Sequence, residues 1–192
     1  MISDLLKSIN WVDFLVLVIA VRIVYISAQT GFVVEFLKGL AALAALFVSF
    51  HYYIHFAKVV EKTLMPPVFL GAAAFLVLWL LSLLVCKFIR DGFLLLFTVQ
   101  AQSALDKWGA VLIASGRVVI VVSMVMFLFL ITGDKYLRQM TLTSLSGKHV
   151  LNVAPWLYRA SCDRFVIPLF PGEKKNPAVR EVLTEVGENL NK

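Results

Sequence analysis

Hydrophobic positions along this chain come in long, nearly unbroken blocks rather than in the alternation of half-buried strands or the single stripe of surface helices. Four blocks stand out: 11–27 (with DFLVLVIAVRIVYIS), 32–53 (FVVEFLKGLAALAALFVSFHYY), 64–86, and 109–132 (GAVLIASGRVVIVVSMVMFLFLIT). The third carries no charged residue. A bilayer core of about 30 Å takes about 20 residues of helix, and lipid tolerates no unpaired backbone groups, so each block predicts a transmembrane helix. The fold class is therefore all-α, a polytopic membrane protein with four transmembrane helices within residues 1–133. Only the uncharged link Ala28–Gly31 separates the first two blocks, which predicts a tight antiparallel hairpin. Residues 87–108 hold the apolar run FLLLF and then VQAQSALDKW, interrupted by Arg90, Asp91 and Gly92. This stretch predicts an interfacial or re-entrant helix, or an extension of the third span, and less readily a short fifth span.

Beyond Gly133 the pattern changes. Residues 134–192 mix charges with Trp156, Tyr158, Phe165 and Phe170, as in a polar, interface-hugging or partner-binding tail. Asn176 and Pro177 suit the N-cap and first position of a helix, and Val179, Val182, Leu183, Val186 and Leu190 fall on one face of it. A short amphipathic helix is expected near 177–190, with no visible partner in the chain.

Composition sharpens this division. Of 192 residues, 60% are hydrophobic and 16% charged, far from a soluble domain. Half of the 30 Asp, Glu, Lys and Arg residues lie in the last 59 positions. The net charge of +6 fits headgroup borders and gives no reason to expect nucleic acid. Cys86 and Cys162 have no metal-ligand or redox spacing. His51 and His55 share a helical face four residues apart, yet no HExxH or cysteine accompanies them, so polar capping of the second span is expected rather than metal. The string IASG at 113–116 is only loosely like a rhomboid-protease serine motif and has no evident catalytic partner. No catalytic residue, cofactor or metal site is expected.

The informative residues are the few charges left inside the spans, because each costs about 2.5 kcal/mol or more at bilayer depth. They are Asp13, Arg22, Glu35, Lys38 and Arg117. Across a hairpin turning near Gln29, Arg22 lies level with Glu35, so a pair between them is expected; Glu35 and Lys38 share a face. Four spans place the 28–31 turn and the 87–108 connection on one membrane side, gathering Arg22, Glu35, Lys38, Asp106, Lys107 and Arg117 in one half of the bilayer. Either these line a polar vestibule, or the long basic side chains snorkel to the headgroups and neutralise Glu35. Gly39, Ala42, Ala45, Gly71, Ala73, Ala74, Ala110, Ala114 and Gly116 offer surfaces for close helix packing, within the bundle or between copies as a homo-oligomer.

Four segments resemble the colicin V production protein family of bacterial inner-membrane proteins: WVD at 11–13, GFVVE at 31–35, HYY at 51–53 and ALDKWGAVLIASGRV at 104–118. Asp13, Gly31, Glu35, Asp106, Lys107, Ala110, Ala114 and Arg117 fall on the positions that carry the resemblance. The chain departs from the family at Ser27 and Thr30, where a glycine and a basic residue are usual, and at Ala110 and Ala114, which replace glycines. The resemblance covers about residues 10–133. It implies a four-helix inner-membrane protein associated with colicin V production or export and with envelope homeostasis, in contact with membrane lipids and with a secretion or envelope partner. It also favours the 28–31 turn and the 87–108 connection facing the cytoplasm and the tail outside, a choice that counting positive residues leaves tied at six on each side. Two further readings stay open: a channel or transporter subunit lined by Arg22, Glu35, Lys38 and Arg117, and a scaffold recruiting a partner through its tail.

Overall fold

Asn10 starts the first helix by accepting a hydrogen bond from the Val12 amide (2.9 Å), while the Asp13 carboxylate returns one from the Asn10 amide (3.1 Å), a capping box that satisfies two end groups of the backbone. The computed structural model describes residues 10–60, 67–96, 104–170, 172 and 175–190, and every regular element among them is helical. The four long ones are α1 (Trp11–Gln29), α2 (Phe32–Val60), α3 (Pro67–Leu96) and α4 (Ala104–Ile131). Each is long and apolar enough to cross a membrane, and only 11% to 33% of its most apolar stretch is buried inside the protein. The remainder faces outward, with Phe14, Leu17, Val21, Leu80, Leu84 and Leu112 more than half or nearly half exposed, as a lipid-facing surface requires. The chain is a multi-pass membrane protein.

Three of the helices outrun their apolar blocks. At 28 to 30 residues, α2, α3 and α4 reach roughly 42–45 Å, so each projects beyond a core of about 30 Å. For residues 87–108 the extension is what the described part shows: α3 continues to Leu96 and α4 starts at Ala104, while 97–103 lie outside the described residues. The expected start of the third span at 64–66 lies outside them too.

α2 packs against both α3 and α4, and α1 packs against α4. The expected hairpin of α1 along α2 is therefore corrected: the two helices are joined by Thr30 and Gly31 but are not each other's packing partners. Ala42 and Ala45 on α2 and Ala110 and Ala114 on α4 are buried, whereas Gly71 and Gly116 have open space around them and carry no close helix contact.

Towards the C-terminal ends of α2 and α4 the core is aromatic. Phe50 lies tilted against Phe127 (4.5 Å between ring centres), meets Phe75 edge to face (5.3 Å) and stacks on Tyr158 (5.6 Å). Tyr158 belongs to the tail. After Gly133, whose positive φ of 77° suits the turn out of α4, the chain forms α5 (Lys135–Thr143), α6 (Leu145–Val150), α7 (Val153–Ser161), a π-helical turn (Cys162–Val166), the single turn α8 (Ile167–Leu169) and α9 (Pro177–Leu190).

Polar side chains stitch this tail to the bundle. Buried Ser123 of α4 donates to the Leu151 carbonyl (2.8 Å) and accepts from the Ala154 amide (2.8 Å), filling the break between α6 and α7. Ser123 lies eight residues before the end of α4, so the tail folds back roughly 12 Å along it. Asp13 accepts from the Ser146 amide (2.8 Å) and hydroxyl (2.7 Å) and from the Leu145 amide (3.2 Å), so it joins the start of α1 to the start of α6.

The Tyr158 hydroxyl meets His51 Nδ1 (3.1 Å) and accepts from the Asn176 amide (3.0 Å); Asn176 Nδ2 donates to the Phe50 carbonyl (2.8 Å). Burial pushes the Tyr158 hydroxyl well above the ordinary phenol range, so it stays a protonated hydrogen-bonding group. His51 is thus an interior partner rather than an interfacial cap, while His55 is exposed. α9 also has a partner in the chain after all: Val179 is buried in the aromatic core and Val182 packs on it. The side chains of Val186 and Leu190 lie outside the described residues.

Replacing Ser123 by alanine leaves a buried carbonyl and a buried amide without their shared partner. A loss of about 1–3 kcal/mol is expected, seen as a lower thermal midpoint in detergent and as faster proteolysis between α6 and α7; an unchanged midpoint would remove Ser123 as the stitch.

Candidate functional site

The other end of the bundle is built around one carboxylate. Thr30 ends α1 in extended backbone, its amide bonded to the Ser27 carbonyl (3.1 Å), and α2 begins two residues later. Helix α2 finds a cap in a different element: Asp106, in the first turn of α4, accepts from the Phe32 amide (2.9 Å). A carboxylate here satisfies an orphan donor and meets the positive end of the helix dipole. The approach is tight, since a Cβ on Gly109 would lie 2.7 Å from the Phe32 ring.

One turn into α2 sits Glu35, fully buried. Arg117 Nη2 of α4 pairs with its Oε1 at 2.5 Å, and Lys38 Nζ with its Oε2 at 3.1 Å. The Thr30 hydroxyl also reaches Oε2 (3.3 Å). Arg117 additionally donates to the hydroxyl of buried Ser27 (3.3 Å), whose own proton goes to the Ile23 carbonyl (2.8 Å). Residues of α1, the turn, α2 and α4 therefore converge on a single buried anion held by two cations.

This differs from the depth-matched pair of Arg22 with Glu35. Arg22 is exposed and makes no ion pair among the described residues. Counting residues from the turn fixes its level but not its azimuth, and α1 leans on α4 instead of α2. Ser27 and Thr30 were not singled out as members of the cluster. Their signal was two hydroxyl residues at the end of an apolar helix, at the positions where the chain departs from the family pattern.

Of the remaining motif positions, Ala110 and Ala114 are buried on α4, Lys107 is exposed, and the Gly31 carbonyl accepts from the Glu35 amide (3.1 Å). Asp13 belongs to the opposite end. Ser115 of the IASG string is exposed and bonds back to the Val111 carbonyl of its own helix (2.9 Å). No group of three or more His, Cys, Asp or Glu side chains placed to hold a metal occurs among the described residues.

Beside the ion cluster opens a recess of about 350 Å³. Arg22, Lys38, Lys87, Arg90 and Arg117 line it, so all four spans contribute a cation, and Ile23, Leu83 and Val121 supply apolar wall. Arg90 pairs with Asp91 (2.6 Å). Five cations against Glu35 and Asp91 leave three positive charges in this half of the bundle. The geometry can hold negative charge.

A family model described as Colicin V production protein matches residues 12–155, which includes every residue of the cluster and extends past α4 into α7. No curated protein and no solved structure matches the chain.

A double-mutant cycle separates the two pairings. Glu35→Gln and Arg117→Gln should each lower stability by about 3–5 kcal/mol as an uncompensated buried charge is left behind, with a coupling of roughly 0.5–3 kcal/mol. Glu35→Gln with Arg22→Gln should be additive within about 0.5 kcal/mol. Unfolding in detergent provides the measurement, and coupling found only with Arg22 would reject the Arg117 pair.

Proposed function

The chain belongs to the colicin V production protein family, and from that premise we propose that it is a non-enzymatic accessory protein of the bacterial inner membrane in colicin V production or export and in envelope homeostasis, with the basic recess as its working surface. The observation that carries this reading is the Glu35 cluster. Its carboxylate, Glu35, is held between two cations, an arrangement that fixes charge in place and supports a shaped cationic surface rather than proton transfer. Lining the recess from all four spans makes it a property of the assembled bundle.

The recess end faces the cytoplasm and the tail lies outside. The family resemblance supports this orientation, since the positive residues near the membrane number six on each side; Trp108 at the start of α4 and Trp11 and Trp156 at the opposite end stand exposed where the two interfaces would be.

The surplus positive charge also favours a second reading, a subunit of an anion-conducting channel or transporter. The scaffold reading loses part of its surface, because Val179 is buried against the protein's own core.

Complementation tests the first reading. In a strain lacking its own family member, Arg22→Gln and Lys87→Gln, which leave the ion pairs of Glu35 and Asp91 intact, should reduce exported colicin V roughly tenfold at unchanged membrane levels, and Lys148→Gln in the tail should not. Full export by the recess variants would overturn the assignment; anion flux in liposomes that these variants abolish would favour the second reading. A C-terminal fusion to a reporter active only outside the cytoplasm should be active, and a silent one would reverse the orientation.

A further inference from the structure

We infer that the recess binds the phosphate of an anionic phospholipid, with an acyl chain of the same molecule lying in the adjoining apolar groove. The inference deepens the reading of the recess as the working surface and rests on it for its location.

Charge is the first argument. Arg117 and Lys38 are engaged by Glu35, and Arg90 by Asp91, but Arg22 and Lys87 have no ion-pair partner among the described residues. Cations at the edge of a bilayer attract anionic headgroups, and an anion supplied by the membrane itself can pair with these two. No carboxylate lines the recess. An incoming phosphate therefore meets guanidinium and ammonium donors from four helices and no repelling group on its walls, and the guanidinium fork matches phosphate oxygens.

Shape is the second. A separate groove of about 250 Å³ adjoins the recess and shares Ala41, Cys86 and Arg90 with it. Its other lining residues are Leu37, Leu40, Ala44, Ile89 and Phe93, all apolar. Arg90 thus stands at the junction of a cationic compartment and a hydrocarbon one, between α2 and α3 on the outer, lipid-facing side of the bundle. A free phosphate would use only the first compartment; a phospholipid uses both.

The test uses the full chain purified in a neutral detergent, with native mass spectrometry to count bound lipid. Phosphatidylglycerol should be retained about tenfold or more over phosphatidylcholine. Arg22→Gln with Lys87→Gln should reduce that preference roughly tenfold to thirtyfold, as two lost charges imply. Ile89→Trp, which fills the apolar groove, should weaken phosphatidylglycerol retention while leaving the recess charges in place. Inorganic phosphate at millimolar concentration should fail to displace the lipid.

Equal retention of the two lipids overturns the inference, as does an unchanged preference in the charge variant. Displacement by inorganic phosphate, with Ile89→Trp without effect, assigns the recess to a free anion and overturns the lipid assignment. Should the double variant not fold, the two-lipid comparison, the phosphate competition and Ile89→Trp still decide. Lipid preference with normal export by the charge variants would refute the functional reading alone, and lost export without lipid preference would refute only this inference.

Discussion

A carboxylate buried inside a membrane bundle has to be neutralised by other parts of the protein, and the recess end of this protein is arranged around that requirement. Glu35 is reached by Arg117 from α4, by Lys38 from its own helix and by Thr30 from the turn. Removing Glu35 would leave Arg117 and Lys38 facing each other without their shared anion, in a medium that offers little solvation. The cluster thereby fixes the rotation of α2 against α4. Asp106 fixes their relative height, because its carboxylate serves as the cap of a helix it does not belong to.

The opposite end is held differently. There the core is a cluster of aromatic rings, and the tail is attached to it by single polar groups of α2 and α4: Ser123, His51 and the Phe50 carbonyl. Two chemistries therefore divide one bundle. Charge pairing holds the end where α1 turns into α2, and ring packing with hydrogen bonds holds the end where α4 passes into the tail.

Block length made the four helices legible from sequence, since lipid leaves few alternatives for 20 apolar residues. It also isolated Glu35, Lys38 and Arg117 as residues needing an explanation, because charge inside such a block is rare. Which residue pairs with which was not legible. Depth follows from counting along a helix, but azimuth depends on which helices touch, and α1 lies on α4 although α2 follows it in the chain. The docking of α9 was hidden for a related reason. Its apolar stripe announces that something covers it, while the cover, a pocket formed beside Phe50 and Tyr158, comes from segments more than 100 and about 20 residues away. Ser123 was invisible because one serine in a span has no pattern around it.

The pairing of Glu35 with Arg117 also bears on how the chain is made. Eighty-two positions separate them, so α1 and α2 leave the ribosome before the principal counter-ion of Glu35 has been synthesised. Until then only Lys38 and Thr30 stand beside the carboxylate. Lys38, one turn away on the same helix, acts as a provisional companion that lets α2 lodge in the bilayer, and the arrival of α4 is the step that commits the bundle.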